Sequence, residues 1–479
     1  MIKAWLDVDH DFPDILSPIV VKELRQALRA RWFIVGFLLL QLFMAGSIIL
    51  ASLEYASDPE EFQIKDTDGF FWFLLGMHLM LVMPLKAINS LSSERKANTL
   101  ELMQLSNLGT WRIVLGKWSS IVGQILLVII SVIPYGVIRY FLGDVNLLED
   151  LWSVFMLFLG SLLLSAAGIA LSNFPTWVKG LGVFSILIFS TSSSSLFTLL
   201  RGSIVMTTGE WISILSLCLW DWSLLVIFGL LVGCETISAS AENYTKWKRI
   251  VVLGALLPTI MIVSTGMAKE ALVTQMTLCL ALWGYVVIEG MTKSEKIVHA
   301  QVRDFKKMGL FGKLLGKVLY PVWPSCVLYV VISLIPFIGI IFLYDDSSKG
   351  LRDNMLATSA LLFFAVALLL PKALTTIARW KPQRPLLWHI GFHISGILLF
   401  SFVAAITAIT KDNQALYPLV FMPSSAALAL LQNNSSDLVD IFFPASIAYG
   451  FVVIWVLVWG ARRYLRRLDK EENIVFRKS

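Results

Sequence analysis

Charge is scarce in this 479-residue chain. Asp, Glu, Lys and Arg make up only 15% of it, against roughly 25% in a soluble domain. Apolar residues account for 57% and the mean hydropathy is +0.76, which excludes a string of soluble domains and defines a polytopic membrane protein. Cysteine is rarer still. Cys218, Cys234, Cys279 and Cys326 stand far apart in or beside apolar segments, without CxxC or Cys/His spacing. That excludes a disulfide framework or a cysteine metal site and leaves them as apolar filler. The N-terminal MIKAWLDVDHDFPDIL lacks a basic region followed by an apolar run and carries Asp7, Asp9, Asp11 and Asp14 instead, so it does not read as a signal peptide. Long polar connections are also missing. The longest, residues 290–324, is too short for a soluble catalytic or substrate-capturing domain.

What the chain does have is long apolar runs. Counted in spans of roughly 20 residues, they fall at 32–53, 70–91, 118–140, 151–172, 179–200, 211–234, 250–268, 270–289, 325–344, 354–378, 386–410 and 441–459. The expected fold is therefore all-α, with about 12 transmembrane helices. If the N-terminus is cytosolic, only Lys65, Arg139, Arg201, Lys269, Lys349, Arg352 and Lys411 of the 39 basic residues lie on the outer side. This asymmetry places both termini in the cytosol of a cell membrane, an inner membrane in a bacterium. The Trp residues gather near span ends, among them Trp32, Trp72, Trp152, Trp323 and Trp388, as belt anchors.

Before the first span, SPIVVKELRQALRAR sets Val20, Leu24 and Leu28 on one face and Lys22, Arg25 and Arg29 on another, with Pro18 at the helix start. This is an amphipathic helix in the inner interface, its basic residues toward anionic headgroups. Ser93-Glu94 with Arg95-Lys96 leads to Gly116-Lys117, and Ser294-Glu295 with Lys296 leads to Gly316-Lys317. The echo suggests two six-span halves, 1–240 and 241–479, the second a degenerate repeat that makes the chain a pseudo-dimer. A homodimer is the alternative.

The two polar islands differ in chemistry. In 92–117, Glu94, Asn98 and Glu101 share one narrow face while Ala97, Leu100, Leu102 and Met103 cover much of the rest. A helix so apolar, between the membrane body and something else, needs a partner. In 294–308, Ile297, Val298, Val302, Phe305 and Met308 form an apolar face opposite Lys296, His299, Arg303, Lys306 and Lys307, suited to lying on the lipid surface. In the outer loop 411–440, SSAALALLQ reads either as a short re-entrant helix or as a surface loop.

Motifs for chemistry are absent. No G-x-x-x-x-G-K-[ST] occurs, since Gly116-Lys117, Gly312-Lys313 and Gly316-Lys317 lack the upstream Gly and the following Ser or Thr, so no ATP site of that kind is expected. There is no H-E-x-x-H. His389 and His393 form a helical i,i+4 pair without a third ligand. No cofactor, metal or nucleic acid is expected. Lys86, Arg139, Asp221, Glu235 and Glu289 lie near span ends, with His78 and Asp221 deeper. Thr191, Ser192, Ser193, Ser194 and Ser195 make a polar patch in the fifth segment, read either as part of a substrate path or as hydroxyls bonded back to their own helix.

ERKANTLELM followed by LGK resembles the coupling region of ATP-binding-cassette transporter permeases of the ABC-2 type. There an acidic-basic pair, a Gly-Thr-Leu-Glu core and a downstream Gly-Lys precede the third span. SPIVVKELR is similar to that family's elbow helix. The resemblance covers residues 17 to about 240 and is poor beyond. It implies a coupling helix at 92–106 that docks on a separate nucleotide-binding ATPase subunit through Glu94, Asn98, Thr99, Leu100 and Glu101, with Asn98 where the family has Gly. The expected function is the permease subunit of an exporter, without ATPase activity of its own. Twelve spans in two halves also suit an ion- or proton-coupled secondary transporter. The acidic first outer loop, with Asp58, Glu60, Glu61, Asp66 and Asp68, is the feature a membrane enzyme would use.

Overall fold

A computed structural model describes residues 18–57, 65–96, 109–142, 147–184, 208–239, 242–265, 269–293, 298–303, 305, 309–343, 351–410, 423–432 and 439–477. Among these, every regular element is a helix and none is a strand. The chain divides into two compact units, Met1–Ser238 and Ala239–Ser479.

Unit 1 opens with α1 (Pro18–Leu28), α2 (Arg31–Ser57) and α3 (Lys65–Met77). Then come a π-helical turn at His78–Val82, α4 (Met83–Lys96), α5 (Thr110–Leu142), α6 (Leu147–Leu171) and α7 (Thr208–Ile237). The π turn runs into a proline. Met83 N–H donates to the carbonyl of His78, and in that wider register the carbonyl of Leu79 awaits residue 84. Pro84 has no N–H to give. Ser161 on α6 supplies the donor instead, its hydroxyl 2.7 Å from the Leu79 carbonyl, so the widened turn is anchored by a neighbouring helix.

Helix α6 sits between α4 and α7, and small residues make that possible, as lipid-embedded packing requires. A Cβ on Gly168 would lie 2.7 Å from the Pro84 carbonyl and 2.8 Å from the Ala87 Cβ. One turn on, the Ser172 hydroxyl accepts from the backbone N–H groups of Leu91 and Ser92. Because the obstacle at Gly168 is backbone, it cannot step aside. Gly168→Leu is expected to destabilise unit 1 by about 1–3 kcal/mol, seen as a lower melting temperature in detergent. A wild-type melting curve would show that α4 and α6 do not meet this closely.

Unit 2 comprises α8 (Tyr244–Gly254), α9 (Leu257–Thr265), α10 (Lys269–Thr292), the short α11 (His299–Arg303) and α12 (Gly309–Leu319). It continues with α13 (Trp323–Leu343), α14 (Leu351–Ile377), α15 (Pro385–Thr410), α16 (Pro423–Gln432) and α17 (Val439–Arg477). Helix α14 is the axis, packed against α17, α16, α10 and α13. SSAALALLQ forms α16, whose Ala426 and Ala427 are buried with Leu356, Ala360, Phe363 and Phe442. The Ser425 hydroxyl donates to the Gly396 carbonyl at 2.7 Å. The segment is thus a helix set into the body of its unit.

Ten described helices are long and apolar enough to cross a membrane, and they coincide with ten of the twelve apolar segments read from the sequence. Of the other two, 179–200 lies mostly outside the described residues. The second, 250–268, is split into α8 and α9 at Ala255 and Leu256. Pro258 has no N–H for the Gly254 carbonyl and its ring crowds that position, so the helix restarts. The basic second island also departs from expectation. Val302 and Phe305 do not rest on lipid but are buried against Leu319, Tyr320 and Val322, with the Phe305 and Tyr320 rings edge to face at 5.4 Å.

Candidate functional site

In unit 1 the ionisable residues converge where α1 crosses the start of α5. Helix α1 keeps Lys22 and Arg25 exposed, as is Arg29 just past its end, in line with the amphipathic pattern, but turns Glu23 inward. Two glycines of α5 admit it. A Cβ on Gly116 would stand 2.7 Å from Ile19 Cγ2, and one on Gly123 would stand 3.0 Å from Leu24 Cδ1. Between those glycines, Lys117 Nζ donates to Glu23 Oε2 and to Glu94 Oε1, both at 3.1 Å. The lysine side chain is 5% exposed, and the two glutamates 11% and 16%.

One buried cation is thus shared by two carboxylates on two other helices. Glu23 Oε1 is buried without a hydrogen-bond partner. Further along the same helix pair, Lys86 of α4 bonds the Gln124 side chain of α5. The Gln124 amide in turn donates to the Ser120 carbonyl at 3.0 Å. These two polar rungs, Lys86 to Gln124 and Glu94 to Lys117, fix the antiparallel register of α4 and α5.

Of the residues the sequence marked for coupling, Glu94 is the described one. Its carboxylate is turned onto the protein's own lysine, and α4 runs unbroken through Ser92–Lys96. Asn98, Thr99, Leu100 and Glu101 lie outside the described residues, as do Thr191, Ser192, Ser193, Ser194 and Ser195. His78 is buried in the π turn, with Nε2 unpartnered. His389 Nε2 lies 2.8 Å from the Leu368 carbonyl, and its ring is 5.7 Å from that of His393. Among the described residues no group of three or more His, Cys, Asp or Glu is placed to hold a metal ion. Arg139 is buried, 3.1 Å from Asp150 Oδ2 and stacked on the Phe71 ring at 4.2 Å.

Unit 2 carries a second cluster with the signs exchanged. Glu289, near the end of α10, accepts from Lys248 of α8 and pairs with Lys293 at 2.7 Å. Lys293 also donates to the Thr245 hydroxyl. Arg249, fully buried, donates through Nη1 to the carbonyls of Val318 and Tyr320 at the end of α12, capping helix carbonyls that have no intrahelical partner. Burial pushes the Lys248 ammonium down to about 8, with the Glu289 carboxylate opposing that shift.

Glu23, Lys248 and Arg249 escaped the sequence reading. An acid interrupting the basic face of α1, and the run Lys246-Trp247-Lys248-Arg249 before an apolar segment, were the signals.

Comparison with family models, curated proteins and solved structures finds no match for this chain. What the fold defines is the class: a multi-pass helical membrane protein.

Proposed function

We propose that the chain is the permease subunit of an exporter driven by a separate ATP-binding-cassette ATPase, which docks on residues 92–106 at the cytosolic face. The observation that carries this reading is the Lys117 junction. The island 92–106 begins on the last turn of α4, and Glu94 on that turn is joined through one buried lysine to both α5 and the amphipathic α1. A push on the island therefore reaches the second span, the third span and the entry helix together, as transmission from an external motor requires. The sequence supports the same reading, through its likeness to ABC-2 coupling regions and its lack of a phosphate-binding loop. On this reading the bilayer is the second partner, and one chain acts as a pseudo-dimer or two chains as a homodimer.

The test is biochemical. Purified alone, the protein is expected to hydrolyse no ATP, and from its native membrane it is expected to co-purify with an ATPase bearing a phosphate-binding loop. Glu101→Lys should reverse a contact charge on the coupling segment and cut co-purification about tenfold or more while leaving membrane yield unchanged. Undiminished assembly with Lys at 101 would remove the acidic strip from the docking surface.

A further inference from the structure

Helix α12, GLFGKLLGKVL, carries three arcs at helical spacing. Gly312, Gly316 and Leu319 form the first and are buried. Lys313 and Lys317, one turn apart and half-buried, form the second. The third is apolar and open: Phe311 is 63% and Leu314 62% exposed, flanked by the half-buried Leu315 and Val318.

The position of this helix is fixed by its far end. Arg249 Nη1 donates to the carbonyls of Val318 and Tyr320, and Val302 and Phe305 pack against Leu319, Tyr320 and Val322. Residues 320–322 alone separate α12 from α13, a helix long and apolar enough to cross a membrane. So short a connection reaches about 14 Å at most, which keeps α12 close to the level where α13 enters the bilayer. Both helices that α12 packs against carry exposed apolar stripes, Trp247, Ile250 and Leu253 on α8 and Leu328, Ile332 and Ile335 on α13. Trp247, two residues before the capping arginine, is of the type that marks a membrane–water boundary.

Eleven residues make about 16 Å of helix, roughly half of a hydrocarbon core, so α12 does not span. Held in water, it would forgo part of the about 1.5–3 kcal/mol that burying each of Phe311 and Leu314 is worth. We propose that α12 lies in the plane of the leaflet at which α13 begins, with Phe311 and Leu314 inserted among the acyl chains, and so anchors the connection between α10 and α13. An apolar face bordered by lysines is the pattern of an in-plane helix, and Lys313 and Lys317 adjoin that face beside Leu314. The lipid-surface element of unit 2 is thus α12 and not the basic segment before it, whose Val302 and Phe305 are engaged in holding its end.

Spin labels on the full chain, reconstituted in vesicles of phosphatidylcholine and phosphatidylglycerol, test this. Labels at Phe311→Cys and Leu314→Cys are compared with one at Ile335→Cys, on the exposed stripe of α13, and one at Arg303→Cys, on the exposed side of α11. The unsubstituted protein, whose Cys218 is half-buried and whose other cysteines are buried, gives the background. Accessibility to oxygen, which concentrates in lipid, relative to a water-soluble nickel chelate should be severalfold higher at 311 and 314 than at 303, and should approach the value at 335. Two positions are labelled so that a melting temperature lowered at one leaves the other to decide. A water-like ratio at both positions overturns the proposal. Shielding of both from oxygen and nickel alike overturns it as well, because the face would then be covered by protein.

Discussion

Lys117→Met is expected to destabilise unit 1 by about 3–5 kcal/mol, because it removes a buried cation that two carboxylates share. Here the residue is shared, so the loss is compounded: both Glu23 and Glu94 would lose the lysine between them. The nearly isosteric Met keeps the packing beside Gly116, so the effect is electrostatic. Two further variants separate this from simple damage. Glu23→Gln removes one carboxylate and keeps the Lys117–Glu94 pair, so it should cost far less. The exchange Glu94→Lys with Lys117→Glu keeps two acids and one base in the same pocket, and should recover much of the stability lost by Lys117→Met. Denaturant unfolding in detergent measures all three. A Lys117→Met protein as stable as the wild type, or an exchange no better than the single substitution, would sink the junction as a structural element. It would also remove the observation on which the exporter reading rests.

This junction marks the boundary between what the sequence discloses and what it does not. Apolar length and charge asymmetry act on whole segments, so ten of the spans were legible from runs alone. The exposed Lys22 and Arg25 of α1 follow the same logic, since a helix face is a periodic property. Pairings are different. That Glu23 meets Lys117 depends on the crossing of two helices, permitted by glycines at 116 and 123, and no period in either segment contains that information. The burial of Val302 and Phe305 in protein rather than lipid is of the same kind. An apolar face asks to leave water, but lipid and protein answer that demand equally well. The break at Ala255 and the π turn at His78 lie between these cases. In each a proline was visible, at 258 and at 84, but its effect depends on whether the freed carbonyl finds another donor. Ser161 provides one for Leu79, and the span continues as a single path.

In unit 2 the signs are exchanged, and so is the residue on which stability depends. Glu289→Gln should cost about 3–5 kcal/mol, since it removes the buried carboxylate that Lys248 and Lys293 share. Lys248→Met should cost little, because the Glu289–Lys293 pair at 2.7 Å remains. It also removes an ammonium that burial already disfavours, from the ordinary 10.5 to about 8. That depression has a definite sign. Between pH 8 and 10.5 the unfolded chain holds a proton on Lys248 that the folded protein has shed, so wild-type stability should gain from this group as pH rises through that window. Below pH 8 its full cost is present. The gain should vanish in Lys248→Met, which melting curves from pH 7.5 to 9.5 in both proteins would detect.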